Sequence, residues 1–158
     1  MPESSYHKKI KKIIISLAKE SGKFRIHKEE KIPLPHPNFE GFVFHYKPEI
    51  HLETKHGKVY VFEILYDEIN DLNLVIADII QSYIIPHISK VFFITKSKED
   101  SKKVDIRSSV IGARLEKMSE RKIKWPEVSI YEITEEEVLN PVNLREKLKE
   151  KAIEDGWY

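Results

Sequence analysis

At 158 residues, 41% of them hydrophobic, the chain is long enough to bury a real core and is read as one domain spanning residues 1–158. It has no cysteine, which excludes a disulfide framework, a thiolate zinc site and a cysteine nucleophile. The 34% charged content nearly cancels to a net +1, and no apolar run approaches the length of about 18 residues that a membrane span needs.

The small net charge hides an uneven distribution. Residues 1–28 carry eight Lys and Arg against Glu3 and Glu20, residues 96–124 carry ten against five acids, and residues 127–155 carry nine acids against four bases. Two basic segments allow a local positive face suited to an anionic polymer, although charge runs also serve as solvated faces. Met1-Pro2-Glu3-Ser4-Ser5 has no signal-peptide pattern, so a soluble, cytoplasmic protein is expected. Much Lys, Glu and Ile with no Cys is a composition common among thermophiles.

Residues 5–20 read as an amphipathic helix, with Tyr6, Ile10, Ile13, Ile14 and Leu17 at helical spacing, Ser4 or Ser5 as cap and Gly22 as stop. Residues 23–29 alternate as a first strand. From Ile32 to Gly41, prolines 33, 35 and 37 predict an extended connector without regular pairing. Phe42–Tyr46 leads into Lys47–Leu65, which reads as a β-hairpin. Its loop is Lys55-His56-Gly57, with Gly57 at the position that needs φ > 0. A second helix follows, capped by Asn70 or Asp71 and burying Leu72, Val75, Ile76, Ile79, Ile80 and Tyr83, and it ends at Pro86. Val91–Thr95 is the continuous apolar run of a strand covered on both faces. Lys96–Lys103 reads as a charged loop. A third helix is predicted over 104–122, with Val104, Val110, Ile111, Leu115 and Met118 inward. A last strand over 128–133, a capped turn at Thr134 and a terminal helix over 141–154 complete the chain.

The hairpin register decides the chemistry. Pairing Thr54 with Lys58 sets Leu52 opposite Tyr60, Ile50 opposite Phe62 and Glu49 opposite Glu63, with opposed Cβ atoms roughly 5 Å apart. Two carboxylates placed so repel each other unless a cation or a shared proton offsets the cost, and a hard divalent cation takes such oxygen ligands. A slip of one residue sends the two acids to opposite faces.

Pro48-Glu49, a hairpin, and then Glu63-Ile64-Leu65 resemble the motif of the PD-(D/E)XK nuclease-like superfamily. There the first acid follows a proline, and the second acid and a lysine two residues on sit in the next strand. The element order over roughly residues 5–95 is similar to that family's αβββαβ core, with 96–158 as a C-terminal αβα addition. The resemblance implies an α/β, single-domain mixed β-sheet flanked by helices, of restriction-endonuclease-like fold. It also implies Mg²⁺ or Mn²⁺ held by Glu49 and Glu63, and metal-assisted hydrolysis of a DNA phosphodiester. Leu65 stands where the family has its lysine and can neither position nor polarise water. Near Lys11, some members carry a third acid. Relatives of exonuclease type carry a glutamine and a tyrosine in the second helix, which makes Gln81 a partial match and a third catalytic candidate.

Around these residues the signals thin out. His51 shares the face of Glu49 under this register and is a candidate ligand or base, or a half-exposed strand histidine. The seven histidines show no HxxxH or HExxH spacing. Lys103, Arg107, Arg114, Lys117, Arg121 and Lys124 recur along one side of the third helix. Arg107, Arg114 and Arg121, with Lys11 and Lys12 of the first helix, are the candidate contacts to DNA phosphates. The readings are a divalent-metal-dependent nuclease; a catalytically inactive nuclease-fold protein serving as a nucleic-acid-binding or assembly module; and a homodimer-forming interaction protein using Tyr60, Phe62, Trp125 and Trp157.

Overall fold

The computed structural model describes residues 4–35, 38–66, 72–85, 87–118 and 125–158, leaving out the side chains of 35, 44, 72–76 and 118. The expected cap at Asn70 or Asp71, Pro86, Arg121 and Lys124 lie outside the described residues.

Helix α1 (Ser5–Ser21) starts at Ser4, whose side chain accepts from the His7 N–H, and stops at Gly22 in the left-handed conformation, φ 67°. Strands β1 (Arg25–Lys28), β2 (Ile32–Pro35), β3 (Val43–Tyr46), β4 (Ile50–Glu53) and β5 (Val59–Ile64) follow. Then come α2 (Leu72–Ile84), β6 (Ile88–Thr95), α3 (Lys98–Met118), β7 (Glu127–Glu132), α4 (Glu135–Leu139) and α5 (Pro141–Asp155). The main sheet has the order β1-β4-β5-β6-β7, while β2 and β3 form a separate two-stranded ribbon. β1, β4 and β5 pair antiparallel, and β5, β6 and β7 pair parallel, so this is a mixed α/β sheet with helices on both faces. The parallel steps need long crossovers, which α2 and α3 supply.

The sheet divides the core. On one face Ile10, Ile14 and Leu17 of α1 and Leu144 and Leu148 of α5 close over Ile50, Leu52, Phe62, Ile64 and Phe92. On the other, Ile79 of α2, Val104 of α3, and Ile32 and Tyr46 of the ribbon cover Val61, Leu65, Val91 and Phe93. Among the described residues no helix is long and apolar enough to cross a membrane.

Several expectations need correction. The proline segment does pair: Ile32, Pro33, Leu34 and Pro35 lie opposite Tyr46, His45, Phe44 and Val43. Alternate N–H groups of a strand point to the same edge, so Pro33 and Pro35 both lack theirs on one edge and leave the other for the partner. Lys98–Lys103 is helix, not loop, because the Ser97 hydroxyl caps α3 by accepting from the Asp100 N–H at 3.1 Å. Val110 points outward, 55% exposed, and Ile80 is 37% exposed. The penultimate residue is core: Trp157 is fully buried, its ring edge-on to Phe62 at 5.0 Å, and its indole N–H donates to the Tyr131 hydroxyl at 3.0 Å. Phe62 and Trp157 are therefore interior packing, not a dimer surface.

Candidate functional site

The hairpin forms in the register read from the sequence. Thr54 N–H donates to Lys58 C=O at 2.9 Å, Leu52 lies opposite Tyr60 and Ile50 opposite Phe62. Gly57 takes φ 78° in the loop. The paired residues end at Ile50, one short of Glu49.

Glu49 and Glu63 each have separate partners. The Glu49 carboxylate turns to α1. Lys11 Nζ donates to its Oε2 at 3.3 Å, and His7 Nε2 lies 3.3 Å from the same oxygen. Lys11 also pairs with Glu29 at 3.3 Å. His7 and Lys11 are four residues apart, so one helix face presents both. Burial pushes the Glu49 carboxyl up, but the hydrogen bond and charge of His7, followed by Lys11, outweigh it and hold the group below the usual carboxylate value.

Glu63 turns to the other face. It is 5% exposed, and its Oε1 accepts the Tyr46 O–H at 2.5 Å. Tyr46 comes from the ribbon and is 1% exposed. Burial raises the phenol pKa well above its ordinary value, and the charge and hydrogen bond of Glu63 raise it further, so Tyr46 stays a donor. Asp78 of α2 and then Glu49 add to the same upward push. Three carboxylates from separate parts of the chain thus act on one phenol.

The remaining candidates scatter. Leu65, at the motif lysine's position, is 1% exposed in the second core and donates its N–H to Ile94 C=O. Gln81 is half-buried on α2, one turn beyond Asp78. His51 is 5% exposed and stacks on His27 of the edge strand, ring centroids 4.3 Å apart and 11° from parallel. Burial, then the charge of His27, lowers the His51 pKa to about 4, so it is neutral near pH 7. On α3, Arg114 is exposed, whereas Arg107 is half-buried, with Nη1 enclosed and lacking a hydrogen-bond partner among the described residues.

Lys11 and Lys12 join a larger feature. A cleft of about 500 Å³ runs between α1 and β1, lined by Lys8, Lys11, Lys12, Lys19 and Lys28, with Ile15 and Ser16. Lys8, Lys12, Lys19 and Lys28 are exposed and have no ion-pair partner among the described residues.

Measured against protein-family models, curated proteins and solved structures, the chain matches none.

Mg²⁺ and Mn²⁺ need oxygens free to turn toward them. Here Glu49 Oε2 is engaged by Lys11, with His7 beside it, and Glu63 Oε1 is engaged by Tyr46. Among the described residues no three His, Asp or Glu side chains cluster closely enough to hold a metal ion. Sequence reasoning singled out both acids but missed Tyr46, His7 and Asp78. The i, i+4 spacing of His7 and Lys11 was a visible signal that α1 could reach one anion.

Proposed function

We propose that the chain is a nucleic-acid-binding domain whose first helix carries the phosphate-contacting surface. Its α/β plan is that of the restriction-endonuclease-like fold without a working hydrolytic centre. The observation that carries the reading is the lysine cleft. The ammonium groups of Lys8, Lys12, Lys19 and Lys28 around one concavity repel one another, and a chain of phosphates relieves that repulsion while releasing its own counterions. The strand order, with an antiparallel hairpin followed by a helix and a parallel strand, supports the fold assignment. The engagement of Glu49 and Glu63 with Lys11 and Tyr46, and the burial of Leu65, support the loss of hydrolysis.

The test is the salt dependence of DNA binding. Replacing Lys8, Lys12, Lys19 and Lys28 together by alanine should lower the slope of log K against log salt by roughly 3 to 4. An unchanged slope would remove the cleft from the account.

A second reading, the Mg²⁺- or Mn²⁺-dependent nuclease, is favoured by the joint action of Glu63, Asp78 and Glu49 on Tyr46. It predicts metal-dependent nicking of DNA that Glu63→Ala abolishes. DNA left intact by the wild-type protein with either metal would exclude it.

A further inference from the structure

A second cavity, of about 250 Å³, lies at the loop end of the hairpin. His56, Gly57 and Lys58 line it from the hairpin, His87, Ile88 and Ser89 from the start of β6, and Trp125 from just before β7. Each of its polar side chains carries a donor: an ammonium, two imidazoles, a hydroxyl and an indole. Among the described residues no acid lines it. His56, Lys58 and His87 are exposed, so their donors are available. Among the described residues the Ser89 hydroxyl donates to Val59 C=O, at 3.4 Å.

Trp125 walls the cavity: its ring is held against Tyr83 with centroids 5.6 Å apart, and among the described residues its enclosed Nε1 has no hydrogen-bond partner. A compact anion with several oxygens suits a wall rich in donors, because each charge-assisted hydrogen bond is stronger than a neutral one. The donors come from three chain segments, which matches the spread oxygens of a tetrahedral group better than the two oxygens of a carboxylate.

We propose that this cavity binds a terminal phosphoryl group, the monoester end of a nucleic-acid strand or nucleotide, with Lys58 supplying charge and His56, His87 and Ser89 supplying ring N–H and hydroxyl donors. The site is separate from the lysine cleft, so it can succeed or fail independently of that reading.

Trp125 is its own reporter, since the other tryptophan, Trp157, is fully buried in the opposite core layer. Titrating the whole protein with inorganic phosphate, against chloride at matched ionic strength, should change the tryptophan emission saturably. Trp125→Phe should lose that change. Lys58→Ala with His87→Ala, both at exposed positions, should weaken phosphate binding about tenfold or more by calorimetry while the circular dichroism stays native. Competition by a 5′-phosphorylated oligonucleotide but not its 5′-hydroxyl twin would assign the group to a strand end. Competition by a mononucleotide alone would assign it to a small molecule. No saturable heat or emission change with phosphate, or equal affinity in the double variant, would overturn the proposal.

Discussion

The two faces of the sheet bury different chemistry on the same strands. Phe62 and Glu63 are neighbours on β5, yet one enters an apolar layer against Phe92 and Trp157 while the other enters a layer holding Tyr46. On the first face, the polar groups at the edge, Tyr131, Asp155 and the Trp157 indole, bond to one another. On the second, a carboxylate sits among Val61, Leu65 and Phe93 and takes a phenol's hydrogen bond. An apolar layer depends on shape and volume, whereas a layer with a buried charge depends on its donors staying in place.

Deleting shape from the first face should cost most. Trp157→Ala should lower unfolding free energy by about 4 kcal/mol, through lost burial and the cavity left behind. Chemical denaturation measures it, and a loss under about 1 kcal/mol would mean the C-terminal indole is not core. On the second face, Tyr46→Phe removes one oxygen and leaves Glu63 buried without its phenol, at a cost of about 3 kcal/mol. Adding Glu63→Leu to Tyr46→Phe should recover most of that loss. If the double variant is instead as unstable as the two single losses summed, the Glu63–Tyr46 bond is not the coupling.

The two ionisable groups near the sheet's antiparallel edge sharpen the contrast by pH. His51 holds a proton less readily in the native chain, at a pKa of about 4 against an ordinary 6.5. Its contribution is complete above pH 6.5 and is lost as pH falls from there toward 4, because the unfolded chain takes up the proton first. His51→Ala should flatten that part of the stability profile, worth roughly 2 kcal/mol. Glu49 has a folded value below its ordinary 4.5, so its contribution is present above that pH and is lost as the carboxylate protonates below it. Glu49→Gln should remove about 1 kcal/mol above pH 5, with the difference shrinking as the carboxylate of the folded chain protonates.

Much of the frame was legible because local chemistry and tertiary packing agree. The cap at Ser4, the left-handed Gly22 and Gly57, and the alternation of Ile50 and Leu52 against Tyr60 and Phe62 each point one way. The capping box at Thr134, with Glu137, also forms as the sequence signals. Other features depended on long-range partners. Nothing near Val43–Tyr46 says that it pairs with a proline strand instead of running on into the hairpin. Spacing alone also cannot say that Tyr46 and Lys11, from opposite layers, reach the two acids before any shared ion does.

The most direct measurement is the affinity for duplex DNA in the presence of a chelator, compared among the wild-type protein, the Lys8/Lys12/Lys19/Lys28→Ala variant and Glu63→Gln. Tight binding by the wild type and Glu63→Gln alike, with a loss of about a hundredfold or more in the lysine variant, is the predicted result. DNA binding that needs a divalent metal, or that survives in the lysine variant, would contradict it.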